Sequence, residues 1–318
     1  MRRKNNEKGM ALLLVLIVVT LLTSIMMELS YSTLIEQRLT ETFRDRTRAY
    51  FLARGGITAG QKLLLSDSND YDAPTETWGG GISNYPVGEG FVSLAVEDLD
   101  GKLAINSLVI GNNPQTVAID RLYRLLLMLE IDDPAELTAG VIDWLDQGDD
   151  TFQLIQTDNL ELPVTGAEDA YYQSLPEPYT CQNGPLKSLE ELLRVKGFTE
   201  KIFKAVRPYL SVADSKRINM NTAGREVLKS LSSKVSEQTV DLIIESRRDA
   251  PIRSIENLRT LLPADQFGVL KSLVNQKLLG TTSEFYKITA EAIINDGRCS
   301  LETRFNKKKN VLSYIRTI

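Results

Sequence analysis

Apolar residues crowd the start of the chain. From Met10 to Met27 it reads MALLLVLIVVTLLTSIMM without a charge, behind the basic residues Arg2, Arg3, Lys4 and Lys8. That run approaches the ~20 apolar residues needed to cross a bilayer, so a transmembrane helix is expected, with its basic end held in the cytoplasm. A cleaved secretory signal shares the order of charge then apolar run. Against it, no small-residue cleavage site closes the run, and the polar chain beyond continues in helical register. Between Glu28 and Leu65, Tyr50, Ala53, Ile57, Gly60 and Leu64 recur at alternating spacings of three and four and line one helical face. Arginines alternate with acidic residues over the remaining surface. A helix over 10–65 would span about 80 Å at ~1.5 Å per residue, with a bend expected at Gly55-Gly56.

Polar and turn-forming residues then fill 66–89, predicting a loop. Partial alternation over Phe91–Leu99 and Lys102–Leu108, around Asp100-Gly101, predicts a hairpin packed on the helix. From about Asn113 the apolar spacing becomes helical. Helices are predicted over Val117–Glu130, Pro134–Leu145, from Ser188 onward, and over Thr222–Leu231, Ser236–Arg247, Ser254–Leu262 and Ala264–Leu278. Strand alternation returns in Phe285–Ile294, Arg298–Phe305 and Val311–Ile318. The pattern predicts an α+β chain in which a helical block interrupts a sheet. Its expected divisions are a leader over 1–9, a helix over 10–65, a first sheet portion over 66–112, an inserted helical domain over 113–279 and closing strands over 280–318.

Charge and composition narrow the function. A net charge of -5 and a pI near 5.2 argue against a nucleic-acid surface. Histidine is absent, which removes the commonest general base and zinc ligand. No G-x-S-x-G elbow, P-loop or dinucleotide fingerprint occurs, so no catalytic residue emerges. Trp78 and Trp144 read as core or loop anchors. Cys181 and Cys299 could bridge in an oxidising compartment or stay as buried thiols. One acidic constellation stands out, with Asp143, Asp146, Asp149 and Asp150 in one segment and Glu168 and Asp169 in a second. Two such loops brought together could supply the oxygen ligands of calcium, although solvated acidic loops give the same pattern. LLRVKGFTEKIFK and INMNTAGREVLKSL resemble helix-hairpin-helix units. In the second, Ser232-Ser233-Lys234 replaces the glycine-bearing turn that would approach a phosphate, so protein interaction is the better reading.

Lys8-Gly9-Met10 before an apolar helix resembles the start of type IV prepilins and type II secretion pseudopilins, which a prepilin peptidase cleaves after the glycine and methylates. Most such proteins carry Glu at the fifth mature position. Here that position is Leu14, and the absence of that Glu resembles the K-type minor pseudopilins of type II secretion. DLDGKLAINSL, VIDWLDQGDD, TGAEDAYYQSLPEPY, NGPLKSLEELLRVKGF and INMNTAGREVLKSL resemble that family in order along most of the chain, while Thr151–Thr165 is longer than the family pattern. The resemblance implies a pilin-like fold with a large inserted helical domain. It implies cleavage between Gly9 and Met10, an inner-membrane anchor with a periplasmic body, and a tip complex with the I-type and J-type minor pseudopilins. It also implies calcium sites in the inserted domain, which assigns Asp146, Asp149, Glu168 and Asp169 first and Asp143 and Asp150 behind them. The alternatives are a membrane-anchored DNA-uptake protein and a minor pilin of a type IV pilus.

Overall fold

The computed structural model describes residues 4–154 and 164–318, with side chains from residue 9 onward in the first helix. Arg2, Arg3 and most of the long segment within Thr151–Thr165 lie outside the described residues. Helix α1 runs without a break over Lys4–Ser66. Its apolar stretch is wholly exposed, long enough to cross a membrane, and near the amino terminus. Thr20 and Thr23 within it donate their hydroxyls to backbone carbonyls one turn back, which gives each a partner in an apolar medium.

Among the described residues, the main sheet has five antiparallel strands in chain order: β1 Ile82–Val87, β2 Gly90–Asp98, β3 Phe285–Ile294, β4 Gly297–Asn306 and β5 Val311–Thr317. The second half of α1 lies across its inner face. Ala49, Ala53, Ile57 and Leu64 pack there against Leu94, Ile288, Ala290, Leu301 and Phe305. Gly55-Gly56 does not interrupt the helix. A Cβ on Gly56 would stand 2.9 Å from the Ala290 Cβ, and one on Gly60 would stand 2.8 Å from the Ile288 Cγ2. Glycine is needed at both places for close approach of helix to sheet, while Gly55 faces open space. At the far end of the β3–β4 hairpin, Asn295 donates its side-chain amide to buried Asp45 of α1, fixing the helix lengthwise.

Two expectations fail around the first hairpin. Ile82–Val87 is an edge strand where a loop was expected, and β1 is the hairpin partner of β2. Lys102–Leu108 is not a strand. Leu103 and Ala104 form a two-residue parallel pair with Leu210 and Ser211, and Ile105–Leu108 is a 3-10 turn. The reason lies in burial: Leu103, Ala104, Ile105 and Leu108 are all enclosed, whereas a hairpin on the helix would leave alternate residues outside. Gly101 serves close approach, since a Cβ there would meet the Thr222 hydroxyl at 2.8 Å.

Between β2 and β3 lies the helical block, with α2 Thr116–Met128, α3 Pro134–Leu145, α4 Asp169–Gln173, α5 Glu200–Val206, α6 Arg225–Ser230, α7 Glu237–Asp249 and α8 Ala264–Asn275. Ser188 and Ser254 form capping boxes, but the elements they start, Leu189–Arg194 and Ile255–Leu258, are 3-10 turns in place of the predicted α-helices. The block has its own core, which includes Leu103, Ile105 and Leu108 and is separate from the core under α1.

A buried polar joint ties the block to the sheet. Asn219 donates its side-chain amide to the Asp98 carboxylate (3.0 Å), the Ser283 hydroxyl (2.8 Å) and the Asp72 carbonyl (2.9 Å). Asp98 also accepts from the Ser283 and Thr222 hydroxyls, and Tyr286 donates to Asp72. Cys181 and Cys299 do not pair. Both are free thiols, Cys181 in the helical core and Cys299 against the sheet core, so a bridge would have to join two separate interiors.

Candidate metal centre

Helix α3 and the start of α4 bring three carboxylates together. Pro134 at the first turn starts α3, and Asp143 falls in its last turn, facing inward with no exposed surface. Asp146 follows at the C-cap, where its carboxylate accepts the Gly148 amide at 3.0 Å. Glu168 caps the short α4 through its backbone, without a side-chain cap bond, which leaves the carboxylate free to turn toward α3. Aromatic packing fixes the two elements: Trp144 meets Tyr172 edge-on at 5.1 Å, and the Tyr172 ring packs on Tyr179. Gly166 permits the approach, because a Cβ there would stand 2.7 Å from the Ala139 carbonyl and would overlap the Asp143 carboxylate.

One oxygen from each of Asp143, Asp146 and Glu168 lies within 4.8 Å of the others. Asp143 spends one oxygen on the Phe152 amide at 2.6 Å, but its other oxygen and both oxygens of Glu168 are buried without a partner. Such groups are costly unless a positive charge completes them. Burial pushes the Asp143 carboxyl up to about 7, with Asp146 adding to the effect. Burial, then the charges of Asp143, Asp146, Asp149 and Asp169, push Glu168 up to about 8. An oxygen-only donor set of this kind suits a hard cation such as calcium.

The other sequence-chosen acids sit apart. Asp169 gives an oxygen to the Cys181 amide at 2.5 Å and so braces the following loop, and Asp149 and Asp150 are exposed. A second acidic group, Asp67, Asp72 and Glu76, was not foreseen; only the acidic, turn-rich character of its loop hinted at it. Each of the three already has a donor, with Lys307 reaching Asp67 and Asp72 at 2.8 Å each and Glu76 accepting the Trp78 indole N–H. In the first hairpin-like unit, Gly197 does take the left-handed backbone (φ +84°). The side a Cβ would occupy faces Leu137 at 2.9 Å, so the glycine serves packing against α3.

Comparison with known proteins agrees with this architecture. Residues 101–215 match a family model described as type II secretion system (T2SS), protein K. The chain is 25% identical to type II secretion system protein K of Aeromonas hydrophila, over 98% of this chain and 97% of that protein. It is also 25% identical to the protein of that name from Pectobacterium carotovorum subsp. carotovorum, over 92% and 90%. Its fold matches a chain in the crystal structure of the GspK-GspI-GspJ complex from the enterotoxigenic Escherichia coli type 2 secretion system. The TM-score is 0.60 at 18% identity, covering 90% of this chain and 99% of that one. Its matched domain, its similarity along nearly the whole length and its fold all liken the chain to type II secretion system protein K.

Proposed function

We propose that this chain is a minor pseudopilin of the type II secretion system and works at the tip of the periplasmic pseudopilus beside I-type and J-type minor pseudopilins. The observation that carries this reading is the continuous α1. One half is an exposed apolar rod and the other half is glycine-fitted to a sheet, with a bulky helical block added between two paired strands. The rod anchors the subunit in the inner membrane and then packs side to side in the filament. Its role is architectural, with no catalytic step. Gly9 and Met10 are exposed on α1 and nothing lies within 4 Å of the Gly9 Cβ position, so prepilin peptidase would meet no obstruction there. Asp143, Asp146 and Glu168 would hold a calcium ion, which would supply the positive charge that their buried oxygens lack and clasp α3 to α4.

Affinity purification of the full chain from detergent-solubilised membranes tests this reading. The I-type and J-type subunits should copurify, and the chain should begin at a methylated Met10. Gly9→Leu should retain the leader and abolish export. Recovery with pilus-type subunits, or an amino terminus beyond Met27, would contradict it.

A further inference from the structure

A cavity of about 420 Å³ lies between the first turn of α2 and the short parallel pairs at Leu103 and Ile218. Its walls are mixed, with Leu122, Leu210, Ile218 and Leu278 along one part and Ser107, Thr116, Ser215 and Gln276 among the polar residues, and no Asp or Glu lines it. Arg121 does, and it is only 4% exposed. Its Nε has no partner, and its two terminal nitrogens reach the Lys216 and Leu278 carbonyls at 3.4 Å, well beyond the usual ~2.9 Å. The charge acting on it is that of Arg124, of like sign, and burial pushes its pKa down to about 10. A buried guanidinium with weak carbonyl contacts and no anion is costly, just as a buried carboxylate is.

Two further positive features face the same cavity. A side chain on a helix leans toward the helix amino terminus, so Arg121 reaches back to the opening of the 13-residue α2. Gln115 there provides no side-chain cap, which leaves the partial positive charge of the first turn uncancelled. Lys216, exposed at the rim, adds a full charge. A guanidinium fork, an uncapped helix start and a rim lysine around an acid-free chamber with a leucine-lined part call for one anionic group on a short apolar body. The fork's planar geometry matches a carboxylate. We infer that this cavity binds a small aliphatic carboxylate, with its head on Arg121 and its chain against Leu122, Leu210 and Leu278. This site is independent of the carboxylate cluster and of the proposed role in secretion.

Titration calorimetry on the full chain in a non-ionic maltoside detergent tests the assignment with three probes: hexanoate, its neutral isostere hexanamide, and inorganic phosphate. Hexanoate should bind roughly tenfold or more tightly than hexanamide, the worth of a charge-assisted hydrogen bond, and phosphate should bind more weakly than hexanoate. Arg121→Gln should remove the preference for hexanoate over hexanamide, a ratio that a general loss of stability does not alter. Lys216→Gln, at the exposed rim, should weaken hexanoate roughly two- to fivefold. Equal binding of hexanoate and hexanamide would reduce the cavity to an apolar void. Phosphate binding as well as hexanoate would mean a bare anion site. No binding of any probe to the wild-type chain would leave Arg121 as a clasp on two carbonyls, and each of these results overturns the proposal. A hexanoate preference that survives in Arg121→Gln would do the same.

Discussion

Asp143 and Glu168 together place three carboxylate oxygens in the protein interior without a donor. If a cation completes them, the metal-free chain is strained by its own charges and the loaded chain is not. Calcium should raise the melting temperature, by the equivalent of about 2.7 kcal/mol at a hundredfold excess over Kd. Asp143→Asn with Glu168→Gln should erase that response and should make the chelator-treated chain more stable than wild type. An unchanged melting curve in chelator and in excess calcium would argue against the site. Asp100 provides a second test. Burial and the neighbouring Asp98 push its carboxyl up to about 7. The folded state therefore holds a proton that the unfolded chain releases near pH 4, and the folded chain binds more protons between those values. Stability should be greatest at the acid end of that window and should fall as pH rises through about 7, by at most about 4 kcal/mol. Asp100→Asn, which keeps an acceptor for the Glu284 amide, should flatten that slope in pH-resolved urea unfolding. The acidic residues of the candidate site were visible in the sequence, but the selection among them was not. The densest pair, Asp149-Asp150, is exposed, and the choice of Asp143, Asp146 and Glu168 depends on the inward face of α3 and on aromatic packing between elements distant in sequence.

At the scale of elements, α1 and the three closing strands were legible because each obeys a simple period. In β3 the residues from Tyr286 to Ile294 alternate inside and outside with little exception. Edge strand β1 gave no such signal because its side chains are almost all exposed, so neither face imposes a pattern. Lys102–Leu108 offered an alternation that tertiary burial overrode. The Gly55-Gly56 pair reads as a helix weakness from propensity alone, and only the sheet beneath gives it sense. Two substitutions separate the roles. Gly55→Ala should stabilise the chain by roughly 0.5–1 kcal/mol, since nothing occupies the space and helix propensity improves. Gly60→Val should destabilise it by about 1–3 kcal/mol through overlap with Ile288 and Leu94. Denaturant midpoints of the two variants should move in opposite directions. Two shifts of the same sign would mean that helix–sheet contact does not govern these positions.

For the whole molecule, the helical block and Leu14 point to the same place in a filament. A carboxylate at the fifth mature position would partner the amine of the subunit ahead, and an unpaired one near a bilayer centre costs about 2.5–3.5 kcal/mol. A first subunit has no such neighbour, so leucine is the suitable residue for it. Gold labelling of the helical block on sheared pseudopili should show one label per filament, at an end. Leu14→Glu should lower the yield of filaments that carry the label terminally. Labels repeated along the shaft would place the subunit elsewhere.

The pairing of β2 with β3, where Asp98 stands opposite Tyr286, has a consequence for the order in which the chain can form. Every strand that completes the sheet beyond β2 is made after the helical block, so during synthesis the apolar face of α1 and the β1–β2 hairpin wait for the last strands to emerge. In an unstructured chain, bringing two such distant strands together would cost a large loop-closure entropy and slow the search. A block that has already folded, with its own core and with its entry at Leu103–Ala104 and its exit at Leu279–Gly280 held in short parallel pairs, shortens that search to the reach of a tight turn. The helical block is then expected to fold first, with the sheet and α1 closing on it. A lesion in its core should show itself first as slow folding and proteolysis of the half that contains α1 and the sheet.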